Sequence, residues 1–481
     1  YKVVDIPQEE IASWDNEPKM SINLPKVNTL LPESFAIKQN DAFDKPKVVI
    51  EEEGIQVWQY PSQLYSDQPR GVFYIQINND APIKSIKADV LTALWRDLYN
   101  MNVSALDTEA NIAGMNLNLN DGTGLSLTVS GFTDKQPQLL ERAIDNLSFN
   151  VEEQAFKQAV DRYIRELQNK GQQFPIYQSF DAYGQLIREG GFNQTDLIET
   201  AKGLTSADLS DFMNTLLGNN AIRVFAFGNY DRGDLEESVK NIQASLPEDR
   251  KVTDFKMAQF WKPETGKSIV LRRDLDVADV AVVDAHIHPQ PGFAALAAGT
   301  VLQSHFRTVA FDTLRTEEQL AYAVGSFAPS LDNYAGFGLY IQTPVKSVAD
   351  MQERFDSFKE EYWEDLQEMT PEEFNQIKQS TLITLNEQPK NLMEEVSPFL
   401  ADLSLQRFEF DSKEQLIDAV ENVNLADAKT FYQQTMLNPD AARISVQLRG
   451  TKFAEQPYAE LPNQKVISDL AEFHQEMEKQ Q

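Results

Sequence analysis

The chain repeats itself, and the repeat limits the folds open to it. Leu106-Asp-Thr-Glu-Ala-Asn-Ile-Ala-Gly-Met115 lies over Leu314-Arg-Thr-Glu-Glu-Gln-Leu-Ala-Tyr-Ala323 at an offset of 208. Leu, Thr, Glu and Ala are identical there, and Asn/Gln and Ile/Leu are conservative exchanges. Asn150-Val-Glu-Glu lies over Thr370-Pro-Glu-Glu, and Arg223-Val-Phe-Ala over Arg443-Ile-Ser-Val, both at an offset of 220. A period of this length is too long for a solenoid. It predicts two copies of one α+β domain, and the 481 residues are more than a single core of roughly 250 to 300 residues accommodates.

Hydrophobic spacing fills in the copies. Strands are expected at Val48 to Glu52, Gln56 to Tyr60 and Val72 to Asn78, followed by a helix over about 85–101 and a hairpin turning at Asp121-Gly122. Asn150 is placed as the N-cap of the next helix. In the second copy a small-residue helix covers about 292–310, and Thr370-Pro371-x-Glu373 opens another as a capping box. The expected fold is α+β, two homologous domains, each a mainly antiparallel β-sheet packed against α-helices. The expected boundaries are an extended lead-in over 1–34, domains over 35–246 and 267–455, a linker over 247–266 and a polar tail over 456–481. The opening Tyr-Lys-Val-Val-Asp-Ile-Pro resembles neither a signal nor a transit peptide and lacks Met, which predicts a chain processed or cut from something longer.

The repeat also marks where the copies part. Arg315 stands where the first copy has Asp107, and Tyr322 where it has Gly114. Thr316 and Gln319 have capping-box spacing, so a helical turn is expected to start near Thr316 and run into a strand from Tyr322 to Phe327. Such a corner can aim a guanidinium fork and a phenol at one point, two good donors for a peptide carbonyl. The plainer alternative pairs Arg315 with Glu318 and leaves Tyr322 as half-buried packing. Packing alone does not ask for both exchanges at one corner.

Composition removes whole classes of function. A net charge of -31 repels nucleic acid and anionic membrane surfaces. No apolar run reaches a membrane span, so membrane insertion is not expected. There is no Cys, hence neither disulfide nor thiolate metal site. Of the four His, His286 and His288 share a strand face, yet a third ligand is not placed by the sequence, and neither H-x-x-E-H nor H-E-x-x-H occurs. No catalytic or metal-binding residue is assigned.

Three segments then resemble one family in order along the chain. Leu314-Arg-Thr-Glu-Glu-Gln-Leu-Ala-Tyr322 looks like a motif in the last domain of the insulinase-type zinc metallopeptidases, the bacterial pitrilysin-like members above all. Gly131-Phe-Thr-Asp-Lys-Gln-Pro-Gln-Leu-Leu140 resembles a segment of their third domain, and Leu24-Pro-Lys-Val-Asn-Thr-Leu-Leu-Pro-Glu-Ser-Phe35 the approach to it. The resemblance implies the third and fourth domains of such an enzyme, a catalytically silent C-terminal half that completes a closed chamber around peptides. It implies no cofactor in this chain, with zinc on the N-terminal half of the same polypeptide as its partner. It further implies peptide substrates held by Arg315 and Tyr322, no hydrolysis by this chain alone, and a bacterial periplasmic or secreted location. A stand-alone non-catalytic subunit of a two-chain peptidase, or a peptide-binding module with no protease role, stays open beside it.

Overall fold

The computed structural model describes residues 5–16, 27–39, 43–218, 220–246, 255–256, 260–329, 331 and 333–478. The first half runs α1 (Gln8–Asn16), β1 (Lys47–Glu52), β2 (Ile55–Tyr60), β3 (Arg70–Asn78), α2 (Ile86–Ile112), β4 (Met115–Gly122), β5 (Gly124–Phe132), α3 (Gln136–Asp145), α4 (Glu153–Lys170), α5 (Pro175–Ile187), α6 (Gln194–Lys202), α7 (Ser206–Leu217), β6 (Ala221–Gly228) and α8 (Arg232–Ser245). The second half runs β7 (Ser268–Asp274), β8 (Val280–Pro291), α9 (Phe293–Phe311), β9 (Ala323–Phe327), β10 (Tyr334–Thr343), α10 (Val348–Glu368), α11 (Pro371–Leu385), α12 (Leu392–Ser404), α13 (Ser412–Asn422), α14 (Leu425–Tyr432), β11 (Ala442–Arg449), β12 (Gln464–Ile467) and α15 (Leu470–Glu478).

Two six-stranded sheets result, ordered β1-β2-β6-β3-β5-β4 and β12-β7-β11-β8-β10-β9. Over five strands the order is the same, and so is the pairing sense: β2–β6 and β7–β11 are parallel, the others antiparallel. The chain is therefore α+β, with two domains of one topology. The sixth strands differ. β1 is antiparallel to β2, whereas β12 comes from the far end of the chain and joins β7 in parallel. The segment read as a polar tail thus completes a sheet, and behind it Leu470 and Phe473 of α15 are buried. The lead-in read as extended contains the helix α1. Residues 1–4 and 17–26 of that lead-in, and 247–254 and 257–259 of the linker, lie outside the described residues. Among the described residues no helix is long and apolar enough to cross a membrane.

Local signals account for most helix starts. Thr370 caps α11 with Glu373 in a complete capping box, as its spacing predicts, and Ser347/Asp350 and Thr205/Asp208 do the same for α10 and α7. Asn150 does not cap α4. The helix starts at Glu153, and the Asn150 side chain donates to Glu152 Oε1 instead.

Each domain lends the other a helix. α5, from the first half, lies on the outer face of the second sheet, where Ala182, Tyr183, Leu186 and Ile187 pack against Ala281, Val283, Ile444 and Val446. α12, from the second half, lies on the outer face of the first sheet, where Val396 and Leu403 meet Tyr60, Val72, Phe225 and Phe227. The buried Glu395 of α12 also accepts hydrogen bonds from Ser62 Oγ at 2.6 Å and from the Gln63 and Leu64 backbone at 2.8 and 3.1 Å. A large apolar side chain stabilises by roughly 1.5–3 kcal/mol when fully buried, so neither outer sheet face is viable uncovered. The helix that follows α4 or α11 in each domain is the one that crosses over.

The strand ladders correct the expected alignment. Leu125, Leu127 and Val129 face the helical core of the first domain, as Phe337, Leu339 and Ile341 do in the second. Matching these, Ile222 stands level with Arg443, and Asn116, paired with Ser130, level with Ala323, paired with Gln342. The expected offsets of 220 and 208 are each one residue out in the strands, and a one-residue slip turns a side chain to the opposite face. Arg223 accordingly lies on the outer face against Phe255 and Phe408, while Arg443 points inward to Asp284. On the helices the offset of 208 stands. Leu106 and Leu314 are both buried, which keeps Asp107 and Arg315 equivalent.

Candidate functional site

The corner after α9 differs from its counterpart in the first domain. There, α2 runs on to Ile112 and stops at Gly114, whose φ of +76° is natural only for glycine. Here, α9 widens after Phe311 into a π-helical turn over Asp312–Glu317, with Glu318 N donating to Thr313 O at 3.0 Å and Leu320 N to Leu314 O at 3.1 Å. Thr316 lies inside this turn, so the expected helix start near it is instead a helix end. Gln319 takes φ +52°, a conformation costing a non-glycine residue roughly 1–2 kcal/mol. Tertiary contacts hold it. Leu320 is buried and its carbonyl accepts from Thr343 Oγ1 at 2.6 Å. Arg354 of α10 takes Glu318 in a bidentate grip, Nε to Oε2 at 2.9 Å and Nη2 to Oε1 at 2.5 Å.

These contacts expose the two residues singled out in the sequence. Tyr322 stands level with the buried Met115 of the first sheet, yet it is 93% exposed, and Leu320 lies in the core just before it. The Arg315 guanidinium carbon lies 4.8 Å from the Phe311 ring centroid and 5.8 Å from that of Tyr322. Among the described residues Arg315 makes no hydrogen bond or ion pair, because Glu318, its expected i+3 partner, belongs to Arg354. Arg315 and Tyr322 are thus brought together, with a planar fork of five donors and a phenol both open to a ligand. The role of Phe311 as a second aromatic support was not foreseen, although it lies only three residues before that motif. Arg354 had no local signal.

The remaining candidates do not form a metal centre. His286 Nε2 is 3.3 Å from both Asp284 Oδ2 and Lys359 Nζ, and Asp284 is held by Arg443 at 2.6 and 2.8 Å. Arg443 and Lys359 also reach Asp356, at 3.1 and 2.6 Å. Burial first, and the ammonium of Lys359 next, lower the His286 pKa to about 4, while Arg443 and its neighbours hold Asp284 well below the usual carboxylate range against its own burial. His288 is engaged at both nitrogens, with Gln290 and Gln434. An ammonium and a guanidinium around this buried carboxylate–imidazole pair do not fit a zinc ion. Among the described residues no group of three or more His, Asp or Glu could hold one.

Comparisons with known proteins agree along the chain. Residues 1–200 match the family model for the middle or third domain of peptidase M16, and residues 301–400 match that for the C-terminal lobe, domain 4, of PqqF-like PQQ synthases. Protease 3 of Escherichia coli is 23% identical over 488 residues, covering 99% of this chain and 50% of the relative. The chain therefore spans about half the length of the curated relatives it matches. The crystal structure of pitrilysin superposes with a TM-score of 0.88 at 21% identity, over 97% of this chain and 49% of that one. A peptidase M16 inactive domain from Pseudomonas fluorescens superposes at 0.62 and 12% identity, over 87% of this chain and all of that one. The last two likenesses speak for the fold.

Proposed function

We infer function from the premise that this chain belongs to the peptidase M16 family and corresponds to the C-terminal half of its longer members. On that premise it is the non-catalytic half of a zinc-dependent metalloendopeptidase, a product of domain duplication that closes a chamber over peptides. The partner is an N-terminal half carrying H-x-x-E-H and the zinc, and a periplasmic or secreted location accords with the Protease 3 likeness. Arg315 and Tyr322 are read as the donors that reach a bound peptide backbone near the scissile bond. One observation carries this role: a guanidinium that makes no ion pair among the described residues, braced on two aromatic rings beside an almost fully exposed phenol. A tyrosine left in water at a strand entrance contributes little to folding, whereas a positioned donor facing a carbonyl that gains negative charge can contribute a few kcal/mol in the transition state. The chain alone is expected to be inert.

The inactive domain from Pseudomonas fluorescens, matched over its whole length, favours a second reading in which the chain acts as a separate subunit beside a zinc-bearing chain. Mixing the chain with a zinc-bearing homologous half tests both. Chelator-sensitive cleavage of a quenched peptide that appears only in the mixture supports them, and no gain over the zinc-bearing half alone removes them. The intact mass of the natural product separates one polypeptide from two.

A further inference from the structure

A cleft of about 440 Å³ lies where the two domains meet at the outer face of the first sheet. Its floor is Val72, Asn116 and Ser130, the last two being cross-strand partners. Its roof is the entry into α12 at residues 390–393, tied to the opposite wall by Tyr65 Oη, which donates to Pro389 O at 2.6 Å. The size suits a ligand of a few residues.

The charge of this cleft runs against that of the chain. Acidic residues outnumber basic ones 74 to 43, yet the lining holds Arg70 and Lys390 and no carboxylate. Arg70 carries the argument. Its guanidinium carbon sits 4.5 Å from the Phe132 ring centroid, and among the described residues it makes no hydrogen bond or ion pair. The ring fixes the fork and leaves its donors unspent. Gly114 guards that platform, since a Cβ there would come within 2.9 Å of Phe132 Cε2. Lys390 is shared with Glu387 at 2.7 Å, and Glu387 does not line the cleft.

We propose that this cleft binds the carboxylate of an extended peptide, with Arg70 as the bidentate partner and Lys390, Asn116 and Ser130 as further donors. The inference rests on the peptide-handling role proposed above and names a second point of contact, on the domain that lacks the Arg–Tyr pair. Both a C-terminal carboxylate and an Asp or Glu side chain offer this chemistry. Titration calorimetry of the 481-residue chain with three probes distinguishes them: acetyl-tetra-alanine, its C-terminal amide, and acetyl-Ala-Glu-Ala-Ala-amide. Binding of the first probe alone assigns a chain terminus, and binding of the third alone an acidic side chain. Arg70→Gln is expected to weaken the bound probe about tenfold, as loss of a charge-assisted contact does. Lys390→Gln should weaken it less. Equal affinity for the neutral amide, no binding of any probe, or wild-type affinity in a folded Arg70→Gln chain would overturn the proposal. Failure of the mixing assay with this binding intact would remove the protease reading and leave the cleft standing.

Discussion

Arg354 grips Glu318 through two nitrogens, and this pairing keeps Arg315 free of an acid three residues away. Arg354→Ala is therefore expected to release Glu318 toward Arg315. With exposed ion pairs contributing about 0.2–1 kcal/mol, KM in the assembled enzyme should rise roughly two- to fivefold. Adding Glu318→Ala should restore it. Steady-state kinetics on the single and double variants checks this, and a double variant as impaired as Arg354→Ala would show that Arg354 matters for another reason.

Tyr322→Phe should lower kcat more than it raises KM, by on the order of 10- to 1,000-fold, because a donor that bonds more strongly to developing charge acts on the chemical step. Arg315→Ala should change both constants, since a guanidinium on the peptide backbone also anchors the ground state. At 93% exposure Tyr322 gives the fold little, so melting curves should coincide. Unchanged kcat and KM for Tyr322→Phe would reduce the phenol to surface.

Stability should fall as acidity rises through the histidine range. The folded chain holds His286 at about 4, below the roughly 6.5 of an unfolded His. Below pH 6.5 the unfolded state takes up a proton that the folded state refuses until about pH 4, so stability is lost on going down, by on the order of 3 kcal/mol over the window. Partial burial lowers His305 in the same direction. Melting temperatures at pH 7.5 and 5.0 should differ less in His286→Gln than in the parent. An equal difference would mean that His286 titrates as in water.

Neither domain should persist alone. Residues 267–481 without α5 expose Ala281, Val283, Ile444 and Val446, and residues 1–246 without α12 expose Tyr60, Phe225 and Phe227. At roughly 1.5–3 kcal/mol per large apolar side chain, either loss rivals the 5–15 kcal/mol that holds a typical domain folded. Each piece expressed singly should aggregate or bind a hydrophobic dye, and co-expression should yield a soluble pair. A soluble, dye-negative single domain would contradict the packing described.

What could be read from sequence followed the range of the forces involved. Thr370-Pro371-x-Glu373 was legible because a capping box is satisfied within one turn. Thr316-x-x-Gln319 carries similar letters and misleads, since Arg354, Thr343 and buried Leu320 decide that backbone from distant elements. Arg223 and Arg443 match as letters but point to opposite faces, a difference that only the ladders reveal. The Arg315-for-Asp107 exchange could be read because both residues lie on the helical side of the corner, whereas the matching of Tyr322 with Gly114 could not, since the ladders set Tyr322 level with Met115. The crossing of α5 and α12 left no trace in local periodicity, for an amphipathic helix has the same pattern whichever sheet it covers.

That crossing has a mechanical consequence. Two domains that each hold a piece of the other cannot swing about their linker, and a cut in the linker would leave them clasped. Under the proposed function this chain moves as one rigid shell, and the hinge that admits a peptide must lie outside it, at the seam with the zinc-bearing half. A substitution on α5 would then be felt as a loosening of the sheet beneath Arg315, although α6, α7, β6, α8 and the linker separate the two in sequence.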